Sequence, residues 1–132
     1  PVKVIRYGLL PDSEGPGLHR GGFGIQRVLE FQTDGVDCFI ASDRVNTPPW
    51  GLSGGKSARG ARFTVERADG SVEHLPSKAR VRFYEKDRLY IETSGGGGWG
   101  NPSERDRAAL ERDVRDGLVS RQRAETEYGG LK

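Results

Sequence analysis

Arg62-Phe63-Thr64-Val65-Glu66-Arg67-Ala68-Asp69-Gly70-Ser71-Val72-Glu73-His74-Leu75 sets the reading of the whole chain. Two short runs rich in β-branched and aromatic residues flank Ala68-Asp69-Gly70-Ser71. Asp-Gly readily supplies the positive φ that a tight hairpin tip requires, so the stretch reads as strand, turn, strand. Downstream, Arg80-Val81-Arg82-Phe83 and Leu89-Tyr90-Ile91-Glu92-Thr93 read as a last strand pair around Glu85-Lys86-Asp87-Arg88. Upstream, Val2 to Tyr7 reads as a first strand, followed by a glycine- and proline-rich loop from Pro11 to Gly22. Phe23, Ile25, Leu29 and Phe31 fall on one face of a second strand. Thr33-Asp34-Gly35 then predicts another hairpin-like turn, with Val36, Cys38 and Ile40 lining the return strand. Ser42 to Gly60 is long and irregular, held by Pro48-Pro49 and several glycines. About seven short strands at roughly ten-residue spacing predict a mainly β unit, sandwich or barrel-like, over residues 1–100.

After Gly100 the pattern changes to a short helical pair, residues 101–132. Pro102-Ser103 reads as a helix start, with Glu104 and Asp106 where the helix dipole favours acids. Leu110 and Val114, with Ala108 and Ala109, give a narrow apolar stripe, and Gly117 is a plausible stop. Ser120 caps a second helix that ends near Tyr128-Gly129. So thin a stripe needs something to dock on.

Composition narrows the function classes. Net charge is +2, from 21 Lys and Arg against 19 Asp and Glu, and the signs are mixed along the chain. That gives no polybasic footprint for nucleic acid. No apolar run approaches the roughly 18 residues of a membrane span. Cys38 is the single cysteine, which excludes an internal disulfide and a cysteine-based zinc cluster. A soluble, cytoplasmic protein is the expectation. Of the 132 residues 20 are glycine and 33% are hydrophobic, so the core is thin for the length. Such a chain is expected to pack against more protein.

Three glycine-rich stretches invite chemical readings. Trp50-Gly51-Leu52-Ser53-Gly54-Gly55-Lys56-Ser57 nearly spells a phosphate-binding loop, but Trp50 stands at the first glycine position and no helix follows. Gly95-Gly96-Gly97-Gly98-Trp99-Gly100 satisfies G-x-G-x-x-G. Asn101-Pro102-Ser103 delays the helix, however, and no further strand follows, so a flexible strand-to-helix bend plugged by Trp99 is the expectation. Asp12 to Gly22 carries Arg20, which reads either as an anion ligand beside the amides of Gly21 and Gly22 or as the ion-pair partner of Asp12 or Glu14. His19 and His74 are the only histidines and lack metal-ligand spacing. Cys38, between Val36 and Ile40, reads as a small core residue. No catalytic residue and no metal ligand is assigned in this chain.

In order along the chain, four blocks resemble the C-terminal region of the hydantoinase B/5-oxoprolinase family. They are Asp12-Ser13 with Gly15-Pro16-Gly17 and Arg20-Gly21-Gly22-Phe23-Gly24; Pro49-Trp50-Gly51-Leu52 with Gly54-Gly55-Lys56; Thr93 with Gly95 to Pro102 and Arg105-Asp106; and Asp113-Val114 with Gly117 to Ser120, closing on Tyr128-Gly129. Ser94, Trp99 and Asn101 stand where the family commonly has proline, tyrosine and aspartate. The resemblance implies one part of a larger α+β subunit in an ATP-dependent enzyme opening a cyclic amide such as a hydantoin, 5-oxoproline or a lactam, with ketone carboxylases as relatives. It implies an A-type partner subunit that handles ATP and magnesium, and a divalent-metal cluster in the N-terminal remainder of the B-type subunit, hence a hetero-oligomer. Within that frame Arg20, Gly21, Gly22 and Lys56 are candidates for an anionic intermediate. Trp50, Trp99, Leu110, Val114 and Tyr128 are candidates for structure or interface. The alternative is a non-enzymatic β-sandwich module that binds a ligand or protein through Pro48-Pro49-Trp50.

Overall fold

The computed structural model describes residues 1–131; Lys132, the last residue of the expected tail, lies outside the described residues. Seven strands form two sheets: β1 Val2–Leu9, β2 Ile25–Phe31, β3 Val36–Ala41, β4 Arg62–Glu66, β5 Val72–His74, β6 Lys78–Phe83 and β7 Arg88–Glu92. The larger sheet has the order β1-β2-β7-β4-β5, and the smaller pairs β3 with β6; every pairing is antiparallel. The mainly β class stands, and its architecture is a lopsided sandwich.

The β4–β5 hairpin forms across Asp69-Gly70, with Gly70 at φ 86° and Asp69 accepting from the Ser71 amide at 2.8 Å. Two other expected hairpins do not form. β3 does not return beside β2, and β6 does not pair with β7; each connection crosses from one sheet to the other. The reason is burial. Phe31, Phe63, Val65 and Leu89 put one face of the large sheet in the core, and a strand added in the same plane cannot cover that face. β3 and β6 lie over it instead, presenting Ile40, Val81 and Phe83, and Phe83 stacks on Phe31 with ring centroids 4.0 Å apart. Cys38 packs at the margin of this cluster, as its alternation predicts.

Asp87 fixes the β6–β7 crossing. Its buried carboxylate accepts from the Tyr84 and Ala68 amides, both at 3.0 Å, and from Arg67 at 2.8 Å. Burial pushes this carboxyl up, but the Tyr84 amide, Arg67 and the Ala68 amide together hold it below the usual range. One residue thus ties the crossing to the β4–β5 turn.

The tail is a 3₁₀ turn, Pro102–Glu104, then α1 Arg107–Arg115 and α2 Arg121–Tyr128. The cap of α1 is Asp106 rather than the Pro102-Ser103 start, since Asp106 accepts from the Ala109 amide; Asn101 caps the 3₁₀ turn. Ser120 caps α2, and Gly117 and Gly129 take φ 72° and 78° at the helix ends. Leu110, Val119, Ala124 and Tyr128 make a second core, with Phe23, Val114 and Leu131 beside it. No helix among the described residues is long and apolar enough to cross a membrane.

Candidate functional site

The three glycine-rich stretches converge into one platform. Gly15 donates to Gly96 at 2.8 Å, Gly96 to Gly22 at 2.9 Å, Gly98 to Lys56 at 3.0 Å, and Lys56 to Pro16 at 2.7 Å. His19 and Trp99 exchange a pair of backbone bonds at 3.0 and 2.9 Å, while Leu52 donates to Gly98 and accepts from Gly100. Backbone therefore packs directly on backbone. A Cβ on Gly21 would strike the Gly96 carbonyl, one on Gly97 the Trp50 carbonyl, and one on Gly98 the Pro16 carbonyl. The expected flexible bend at Gly95–Gly100 is thus an extended segment held on both sides by backbone. Missing side chains here permit close approach rather than motion.

Trp99 does not plug this segment. It stands 47% exposed, stacked on His19 with centroids 5.6 Å apart, and Trp50 is 66% exposed with Leu52 likewise outside. Bonded neighbours across adjacent strands share a face, so His19, Trp99 and Leu52 form one row on the outer side of the platform. Ser53 and Gly54 form the turn after Leu52 at φ 51° and 91°, and the chain continues through Ala58 to β4 with no helix. The phosphate-loop resemblance therefore ends at the string of letters.

The polar groups of the platform face the tail. Arg20 grips Asp113 with two bonds, at 2.8 and 3.0 Å, and lies over the Phe23 ring at 4.3 Å. Its partner is thus Asp113 on α1, rather than Asp12 or Glu14. Asp113 is also held by Arg105 at 2.8 Å; burial pushes its carboxyl up, and Arg20 and then Arg105 pull it below the usual range. Glu14 is fully buried and accepts from Arg123 at 2.8 Å and from the Tyr128 hydroxyl at 3.0 Å. Burial, reinforced by the Glu14 carboxylate, pushes the Tyr128 hydroxyl well above its ordinary value. Asp12 accepts from the Ser120 amide at 2.7 Å, and Lys56 reaches Glu127 on α2 at 2.8 Å.

Of the four anion-site candidates, Arg20 and Lys56 therefore end on different carboxylates of the tail. Gly21 is pressed against Gly96, and a Cβ on Gly22 would meet nothing within 4 Å. Among the interface candidates Leu110 and Tyr128 are buried, Val114 is half-buried, and the two tryptophans are exposed. Sequence reasoning assigned no role to Arg105 and Arg123. A signal for the site did exist: Asp113 lies between Leu110 and Val114 on the apolar stripe of α1, where an acid needs a buried cation.

As a metal site the donors do not fit. His19 belongs to the platform, His74 to β5, and His74 bonds Thr64 at 3.0 Å. No group of three or more His, Cys, Asp or Glu among the described residues is arranged to hold an ion.

The chain has relatives. A family model described as Hydantoinase B/oxoprolinase matches residues 1–102. The beta chain of the caprolactamase of Pseudomonas jessenii is 32% identical over 133 residues, covering 98% of this chain and 23% of the relative. The solved ATP-dependent caprolactamase from that organism superposes with a TM-score of 0.79 at 27% identity, again over 98% of this chain and 23% of the other. The B-type subunit of a putative D-/L-hydantoinase from Pseudomonas sp. strain NS671 is 30% identical over 131 residues, 98% of this chain and 22% of the relative. The nucleotide-free structure of acetone carboxylase shares the fold, with a TM-score of 0.85 at 20% identity over 98% of this chain and 21% of that one. The chain thus spans 22% to 23% of the length of these curated relatives.

Proposed function

This chain belongs to the hydantoinase B/oxoprolinase family, and from that membership we propose that it is the C-terminal portion of a B-type subunit in an ATP-dependent, cyclic-amide-opening enzyme of the cytoplasm. Its role there is to complete the subunit's fold and to present docking surface. The observation that carries this reading is the fate of the platform's charged groups. Arg20, Lys56 and Glu14 all bond side chains of the tail, which makes platform and tail one built unit. The outward row of His19, Trp99 and Leu52, with Trp50 nearby, suits contact with another subunit.

The ATP and magnesium that the family implies are assigned to an A-type partner subunit, and the divalent metal to the remainder of the B-type subunit. No step of the chemistry is routed through this chain's histidines. Ring opening of a hydantoin, 5-oxoproline or caprolactam is the reaction class, and ketone carboxylation is the relative to separate from it.

The test is reconstitution with the A-type subunit and the rest of the B-type subunit. ATP-dependent release of the ring-opened acid by the full assembly, and none by this chain alone, is the expected outcome. Bicarbonate-dependent turnover of a ketone instead would move the enzyme to the carboxylase branch. Turnover by the isolated chain would overturn the reading.

A further inference from the structure

β1 is the outer strand of the five-stranded sheet, and Val2, Val4, Ile5, Tyr7 and Leu9 stand 42% to 61% exposed along it. The lopsided sandwich explains why. Strands lie about 4.8 Å apart, so a sheet of five is roughly four times as wide as a layer of two. β3 and β6 cover the centre of the large sheet, and no β1 residue joins the main core.

The backbone of β1 is equally unsatisfied on its outer side. At one end Gln32 donates to the Pro1 carbonyl at 2.7 Å, and at the other Leu10 donates to Gly24 at 2.7 Å. With the register shift between Val4 and Arg6, these two bonds fix the alternation of the ladder. Lys3, Arg6 and Gly8 turn their N–H and C=O groups toward β2, while Val2, Val4, Tyr7 and Leu9 turn theirs away. An eight-residue edge left bare, with five apolar side chains along it, is a template for another strand.

We infer that β1 is an interior strand of the assembled protein, bonded along its outer edge to an extended, acid-bearing strand of the B-type subunit's remaining polypeptide. This rests on the B-type reading above. The amount of outside chain supports it, since this segment covers 22% of its hydantoinase relative and leaves most of that subunit unaccounted for. Charge supports it too. The charged side chains of β1 are Lys3 and Arg6, and Glu30 opposite Lys3 already holds Arg88 at 3.0 Å. Two copies paired edge to edge would bring these cations together, whereas a strand carrying Asp or Glu complements them.

Hydrogen exchange on the isolated chain, and on the chain assembled with the remaining polypeptide of its B-type subunit, tests the inference. The amides of Val4, Tyr7 and Leu9 are expected to slow by at least about a hundredfold on assembly. Val4→Pro keeps the β1–β2 ladder but removes one outward donor, and is expected to weaken assembly at least about tenfold. Val4→Glu, which sets a like charge against the acid-bearing strand, is expected to weaken assembly in the same direction should the proline variant fail to fold. A stable assembly whose β1 amides exchange as fast as in the isolated chain sinks the strand pairing and leaves the B-type reading standing. Protection of the same amides in a dimer of the isolated chain reassigns the edge to a second copy and also overturns the inference. Failure to associate with that polypeptide at all sinks both.

Discussion

The sandwich and the glycine platform are joined in one chain, yet they hold together by opposite means. The sandwich buries side chains: Phe31, Phe63, Val65, Phe83 and Leu89 fill the space between two sheets. The platform buries the lack of them, setting Gly15, Gly21, Gly95 and Gly98 against facing carbonyls and closing its tail side with Glu14, Arg20 and Asp113. The difference teaches where each tolerates change. A side-chain core adjusts to altered volume by repacking, whereas a backbone contact has no rotamer with which to yield.

The sharpest break of that contrast is Gly97→Ala. Its Cβ would enter the Trp50 carbonyl, so a loss above about 4 kcal/mol is expected in denaturant unfolding, beyond the ordinary overpacking range. A normal melt would refute backbone-on-backbone packing. Next, Phe83→Ala empties the centre of the sandwich and is expected to cost about 3–4 kcal/mol, read in the same way. Arg20→Ala leaves Asp113 with Arg105 alone, for about 2 kcal/mol and faster exchange in α1 than in the sandwich strands.

Titration separates the two regions more gently. Asp87 in the sandwich and Asp113 at the platform both have folded values below their unfolded ones. The stability they add is present above about pH 3.9 and is lost as pH falls through the folded values, so acid loosens both regions. Tyr128 is shifted the other way. Its contribution is present below about pH 10 and is lost as pH rises toward its folded value, so alkali should loosen the packing of α2. Exchange rates on either side of neutrality check this. Smallest of all, Gly22→Ala should change stability by less than about 0.5 kcal/mol, although its neighbour Gly21 forbids the same substitution.

Much of this was legible in advance. Strand existence followed from alternation, and the 69–70 turn from Asp-Gly, because both are local effects. The sheet each strand joins was not, since Thr33-Asp34-Gly35 serves a crossing as readily as a hairpin. Only the long-range demand to cover Phe31 and Leu89 decides between them. Gly95 to Gly100 misled for a related reason. Its letters report conformational freedom, while its rigidity comes from segments roughly 40 and 80 residues away in sequence. The cluster on Asp113 was half-visible as an acid on an apolar stripe, but its partner Arg20 lies 93 positions back.

That remoteness also sets an order of events as the chain folds. The three strips of the platform meet mainly backbone to backbone across long sequence separations, so none can nucleate structure by itself. β2, β4 and β7 have to assemble first, because they deliver the ends of all three strips to one place. Glycine contacts then form late, after the rate-limiting step, and alanines placed there should accelerate unfolding while leaving the folding rate nearly untouched.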